Sequence, residues 1–133
     1  MAIDTAALFA RYHAAWEAKD PARIASLHSE DSGFILHDGS ARVHGRAALE
    51  ADFAELFRKL PGFGFEMRRT IFGERHWVFE WAMTMPLPGG GSASVDLLDV
   101  VDVNDAGEVT RKDVYINGAQ QAAFYARMEA AAA

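Results

Sequence analysis

The alternation of apolar and polar residues along the chain first follows a helical period and then a period of two. From about Thr5 to Lys19 the residues Leu8, Phe9, Tyr12 and Trp16 recur on one helical stripe, which predicts an amphipathic helix. Asp20-Pro21 ends it and opens a short second helix. Asp20 is placed to cap that helix, and Pro21 takes its first position, where a missing N–H costs nothing. Ile24 and Leu27 form its inward side, and Ser29 to Gly33 is read as its polar exit. Phe34-Ile35-Leu36 predicts a short strand running into the turn signal Asp38-Gly39, with Val43 starting the return. A third helix is predicted from Gly45 to Leu60, carrying the stripe Leu49, Phe53, Leu56, Phe57 and Leu60, and Pro61-Gly62 stops it.

Beyond that point strands are predicted. Phe63, Phe65 and Met67 alternate with smaller or charged residues. Trp77, Phe79, Trp81, Met83 and Met85 do the same after a turn at Gly73-Glu74-Arg75. The third set is Val95, Leu97, Asp99, Val101 and Val103, and the last strand runs from Val109 to Asn117. Ala119 to Ala130 predicts a C-terminal helix with Phe124 and Met128 at i and i+4. Helices followed by a meander of long antiparallel strands give an α+β fold, with the helices on one face of the sheet. No repeat or linker divides the chain, so residues 1–133 are expected to form a single domain.

Composition narrows the function classes. The net charge is −6 and no block of like charges occurs, so a phosphate-neutralising surface for nucleic acid or anionic membrane is not expected. The chain has no cysteine, which removes disulfides, thiol nucleophiles and thiolate metal ligands. The opening MAIDTAALFARY lacks the basic and apolar regions of a leader, and no apolar run is long enough to span a bilayer. A cytoplasmic location is the expectation.

Four acidic or phenolic positions could carry chemistry. Asp99 interrupts the otherwise apolar face Val95, Leu97, Val101 and Val103. A carboxyl there is desolvated, held by a specific partner, or part of a pocket wall, and desolvation favours its neutral form. Tyr12 lies on the apolar stripe of the first helix, where a phenol is either core with its hydroxyl at the edge or a polar group aimed into a pocket. Asp38 stands beside His37 in the Asp-Gly turn, where turn chemistry alone could explain it. Asp113 shares a strand face with Arg111 and Tyr115, and an ion pair with Arg111 is the simplest reading. His37, Asp38 and His44 match no dedicated metal-ligand spacing, so no metal or other cofactor is expected. Gly89-Gly90-Gly91 joins two strands and opens no helix, and no GxSxG elbow is present.

The chain resembles the NTF2-like superfamily, in particular its ketosteroid isomerase and SnoaL-like branches. The resemblance rests on Arg11-Tyr12, Ala14-Ala15, Asp20, Ile24, Leu27, Asp31, Gly45-Arg46-Ala47-Ala48 and the block from Asp99 to Val109 with Ala106-Gly107, and it extends over nearly the whole chain. It implies a curved antiparallel sheet with three helices from the N-terminal half enclosing a cone-shaped cavity. It also implies a homodimer and a pocket for a small apolar ligand or substrate. Trp16, Phe53 and Phe57 would line that pocket from the helices. Leu36, Trp81, Leu97, Val101 and Tyr115 would line it from the strands. In the isomerase branch a helix-one tyrosine and a protonated aspartic acid bind the oxyanion (ketosteroid isomerase is a standard example of this arrangement). Tyr12 and Asp99 match those positions, whereas the family's general base falls on Leu36 and Asp38 lies two residues further on. In epoxide hydrolases and SnoaL-type cyclases an acid precedes an aromatic on the last strand, and Val114 stands there before Tyr115.

The expected function is therefore enolisation of a small hydrophobic carbonyl compound, with Tyr12 and Asp99 on the oxygen and Asp38 moving the proton. The alternatives are a non-catalytic ligand-binding or interaction module of the same fold, and a SnoaL-like cyclase or epoxide hydrolase with a divergent site. Leu98 and Val100 point away from Asp99, so both faces of that strand are apolar, and an uncovered sheet face of this kind calls for a second subunit. Sedimentation velocity at micromolar concentration should show a dimer; a monomer under those conditions would refute this expectation.

Overall fold

The computed structural model describes residues 3–132. Asp4 caps the first helix, α1 (Thr5–Glu17), its carboxylate accepting from the Ala7 N–H at 3.0 Å. The helix buries Phe9, Tyr12, Ala15 and Trp16. Asp20 caps α2 (Pro21–Ser26) through the Arg23 N–H at 3.1 Å, with Pro21 opening the helix as its sequence predicts. The remaining elements are β1 (His28–His37), β2 (Val43–His44), α3 (Arg46–Lys59), β3 (Gly64–Phe72), β4 (His76–Pro86), β5 (Ser92–Val103), β6 (Val109–Ile116) and α4 (Gly118–Ala132).

The six strands form one curved, open sheet in the order β2-β1-β6-β5-β4-β3. The meander β3 to β6 is antiparallel throughout, as the alternation predicts, but β1 joins β6 in parallel. The expected curved, mainly antiparallel sheet thus contains one parallel join. The first strand also starts at His28 rather than Phe34, so the polar run Ser29 to Gly33 is strand and not the exit of a helix. Two physical features explain the difference. The register against β6 shifts between His28 and Gly33, which interrupts strict alternation. His28 and Ser32 are fully buried and bond each other, so polarity there does not indicate solvent.

The core lies between the concave side of the sheet and the helices. Trp77, Phe79, Trp81, Met83 and Met85 of β4 and Val95, Leu97, Val101 and Val103 of β5 are all buried. Met67 pairs with the buried Trp81 yet is 51% exposed, on β3 at the edge of the sheet. On the outer side, Ile71, Val78 and Val100 stand opposite one another in successive strands, and Leu98 and Val100 are half-buried.

Phe53 of α3 is 1% exposed and meets the Trp16 ring edge-on at 4.9 Å and the Phe34 ring at 5.5 Å. Phe53→Ala should therefore destabilise the fold by about 3–5 kcal/mol, as large aromatic-to-alanine changes in cores do. Tyr125→Ala, at a position 47% exposed, should change stability by less than about 1 kcal/mol. Urea unfolding of both variants checks the contrast.

Candidate functional site

A cavity of about 110 Å³ lies on the concave side of the sheet. Phe9, Tyr12, His13 and Trp16 of α1 form one wall, and Phe79, Trp81, Leu97, Asp99, Lys112 and Val114 of the sheet form the opposite one. Leu36, Leu56 and Phe63 add apolar surface, and Gln121 and Tyr125 of α4 stand at its rim.

At one end of this apolar space the polar groups form a continuous chain. Trp81 donates its indole N–H to Asp99 Oδ1 at 3.0 Å. Asp99 Oδ2 lies 3.6 Å from Lys112 Nζ, and Lys112 in turn donates to the Tyr12 hydroxyl at 3.4 Å. Tyr12 Oη is 2.8 Å from His28 Nε2, and His28 Nδ1 is 2.8 Å from Ser32 Oγ. All six side chains are buried. Lys112 Nζ also sits 4.2 Å above the Trp16 ring and 4.9 Å above the Tyr12 ring, so aromatic faces replace part of its lost hydration. The Trp16 indole N–H is buried and has no partner among the described residues.

These surroundings move the titrations. Burial raises the Asp99 carboxyl above the ordinary carboxylate range, against the opposing pull of Lys112 and the Trp81 bond. Burial likewise raises the Tyr12 phenol, with Lys112 working against it. His28 falls to about 3, first through burial and then through the charges of Lys112 and Arg46, so it is neutral at ordinary pH.

Tyr12 and Asp99 thus reach one cavity, as their sequence positions suggest, but they do not touch; Lys112 joins them. Asp38 does not join them. It is exposed, its carboxylate accepts from the Ser40 N–H and hydroxyl and from Gln121 Nε2 at 3.0 Å, and it is absent from the cavity wall. Ser40 and Gln121 hold its carboxylate outside the cavity wall, so the proton-moving role expected of it has no support in the geometry. Of the expected lining residues, Trp16, Leu36, Trp81 and Leu97 do face the cavity. Four others do not. Phe53 is enclosed by Trp16, Phe34 and His28, and Phe57 stacks on Phe63 at 5.7 Å. Val101 is fully buried opposite Trp77 and Lys112, and Tyr115 turns outward to stack on His37 at 4.1 Å. Asp113 is bonded by Arg111 at 2.7 Å and His37 at 2.8 Å on that outer face, and the Arg111 bond leads the effects that pull it down to about 2.

Lys112, His28 and Ser32 are the site residues that sequence reasoning passed over. The signal for Lys112 was its place two residues before Val114 and four before Ile116, on the inward face of an alternating strand. Among the described residues no group of three His, Asp or Glu side chains is placed to hold a metal ion, and no helix is long and apolar enough to cross a membrane.

The His28 environment predicts a pH effect. Below about pH 6.5 the unfolded chain protonates His28 while the native chain does not until about pH 3, so acid favours unfolding. Over that window His28 should cost about 1.4 kcal/mol of stability per pH unit. Urea unfolding of wild type and His28→Gln at intervals from pH 7 to 4 checks this: the stability of wild type relative to the variant should decline as pH falls.

A family model for the SnoaL-like domain matches residues 9–112. No curated protein matches the sequence. Solved structures with the same fold include a protein of ketosteroid isomerase-like fold from Catenulispora acidiphila in complex with trimethylamine, 15% identical, with a TM-score of 0.76 over 92% of each chain. TerC co-crystallised with polyporic acid is 19% identical, with a TM-score of 0.75 over 92% of this chain and 95% of that one. An NTF2-like protein from Burkholderia pseudomallei is 13% identical, with a TM-score of 0.75 over 88% of this chain and 93% of that one. At these identities the structures speak for the fold alone, whereas the family match extends from the first helix into the last strand: the chain belongs to the SnoaL-like domain family and has the NTF2-like fold.

Proposed function

We propose that the cavity binds a small, largely apolar carbonyl compound and catalyses its enolisation, with Lys112 and Tyr12 on the carbonyl oxygen and Asp99 as the proton acceptor. The observation that carries this reading is the buried chain Asp99–Lys112–Tyr12 on the wall of an otherwise apolar cavity. Lys112 and Trp81 both approach Asp99 as donors, which favours Asp99 as an acceptor rather than as a second donor to an oxyanion. A carboxylate whose pKa is raised by burial is a stronger base than a solvated one.

In this scheme the carboxylate takes a proton from the carbon next to the carbonyl. The C–H electron pair becomes the new C=C bond, and the carbonyl π pair moves to oxygen, where the ammonium and the phenol meet it. Return of the proton at a more distant carbon isomerises an unsaturated ketone. The size of the cavity limits the substrate. A dry cavity of about 150 Å³ accommodates benzene, and this one has about 110 Å³, so the ligand is on the order of one ring. The half-buried Leu98 and Val100 support a homodimer through the outer face of the sheet, away from the cavity.

The engagement of Asp99 by Trp81 and Lys112 in the ligand-free protein favours a second reading, a binding module without catalysis. The two are separated by mixing the protein with a β,γ-unsaturated cyclohexenone in deuterated water and following deuterium uptake and conjugation. Wild type should catalyse both. Tyr12→Phe should lower kcat about 100-fold or more, the usual effect of losing one oxyanion donor. Asp99→Asn should abolish exchange, and Asp38→Ala should leave it unchanged. Binding of para-nitrophenolate without any exchange would establish the binding module; neither binding nor exchange would refute both.

A further inference from the structure

We infer that Ser32 and His28 are positioning residues that fix the direction of Tyr12's hydrogen bond, forcing the phenol to present its proton to the cavity. The inference deepens the reading above and concerns the same site. Its starting point is the row Ser32 Oγ, His28 Nδ1, His28 Nε2, Tyr12 Oη, with both contacts at 2.8 Å. A neutral imidazole has one N–H and one acceptor nitrogen, so the row must run one way or the other.

Consider the direction in which Tyr12 donates to Nε2. His28 then carries its proton on Nδ1 and donates to Ser32, and the Ser32 proton needs another acceptor. Ser32 is 0% exposed, and His28 is the one partner of its hydroxyl among the described residues. That direction leaves a buried O–H unmet, which is costly. The reverse direction also leaves one proton over, but places it on the cavity wall, where a ligand oxygen can accept it, rather than behind His28. Ser32 donates to Nδ1, Nε2–H donates to the Tyr12 oxygen, and Lys112 fills the second acceptor site of that oxygen. The one proton left over is the phenolic one, and Tyr12 lines the cavity.

Two further facts fit this direction. His28 stays neutral at ordinary pH because it is buried beside Lys112 and Arg46, so the row does not become donor at both ends. Trp16, on the same wall, has a buried indole N–H with no hydrogen-bond partner by geometry among the described residues, near enough to the Tyr12 hydroxyl to favour its ionised form. Tyr12, Trp16 and Lys112 therefore gather donors at one end of the cavity, while the base Asp99 is already engaged by donors of its own. This end selects a ligand oxygen that only accepts: a carbonyl, an enolate or a phenolate, in preference to an alcohol or an amine. Ser32 sits behind His28 and is absent from the cavity wall, so its effect on ligand passes through the tautomer alone.

The experiment is nitrogen-15 NMR of the histidine rings in the ligand-free protein, with para-nitrophenolate affinity measured in parallel. Wild-type His28 should show a protonated Nε2 and a bare, hydrogen-bonded Nδ1. Ser32→Ala should leave Nδ1 bare but without its hydrogen bond, shifting its resonance toward that of a free acceptor nitrogen, because a proton on Nδ1 would face the alanine methyl unmet; Ser32→Thr should restore the bonded position. A protonated Nδ1 in wild type would overturn the inference, as would a Ser32→Ala variant in which the Nδ1 resonance does not move. If phenolate fails to bind wild type, the functional reading fails, and the tautomer still decides the direction of the row. If Ser32→Ala does not fold, the wild-type spectrum decides it.

Discussion

The Asp99–Lys112 pair is the contact on which the site depends. Two charged groups this deeply buried are expensive to desolvate, and their attraction offsets that cost only when further partners complete the geometry. Here those partners are present on both sides. Asp99 accepts from the Trp81 indole N–H, and Lys112 donates to the Tyr12 hydroxyl and lies over the faces of Trp16 and Tyr12. Removing either charge would leave the other buried and unpaired, a loss on the order of 3–5 kcal/mol. Replacing both by apolar residues of similar volume would often be neutral or stabilising. Stability alone therefore gives no reason for the pair, and the enolisation proposed above would supply one.

The fold supplies the pair from neighbouring strands and the phenol from a helix. Val114, two residues from Lys112, stands directly opposite Asp99 in the β5–β6 register, so the two charged side chains meet on the diagonal of one sheet face. Tyr12 reaches them because α1 lays its buried stripe across the concave side, where Phe9 meets the Trp77 and Phe79 rings edge-on. Behind the phenol, the parallel strand β1 delivers His28 and Ser32, whose spacing brings them together across the register shift.

Much of this architecture was readable from the sequence. The stripes of α1 and α3 and the alternation of β4 and β5 follow directly from burial on one face, and Asp99 stood out because it broke such a pattern. The start of β1 was not readable. His28, Ser29 and Ser32 are polar yet buried, and a polar run in a single sequence looks like solvent-facing chain until its partners are known. Lys112 was obscured in a different way. It lies between Arg111 and Asp113, which pair on the outer face, and only the strand's period separates it from them. Asp38 failed for the opposite reason. Its position directly after a strand placed it near the site in sequence, but its side chain turns to the Ser40 N–H instead.

The most direct test of the central claim is a crystal structure of the protein with a one-ring phenolate bound. The account predicts the ring inside the cavity, with its oxygen within about 3.2 Å of both the Tyr12 hydroxyl and Lys112 Nζ, and the Asp99 carboxylate beside the ring rather than on the oxygen. A phenolate oxygen at the Gln121 and Tyr125 rim, with the Lys112–Tyr12 end untouched, would contradict it.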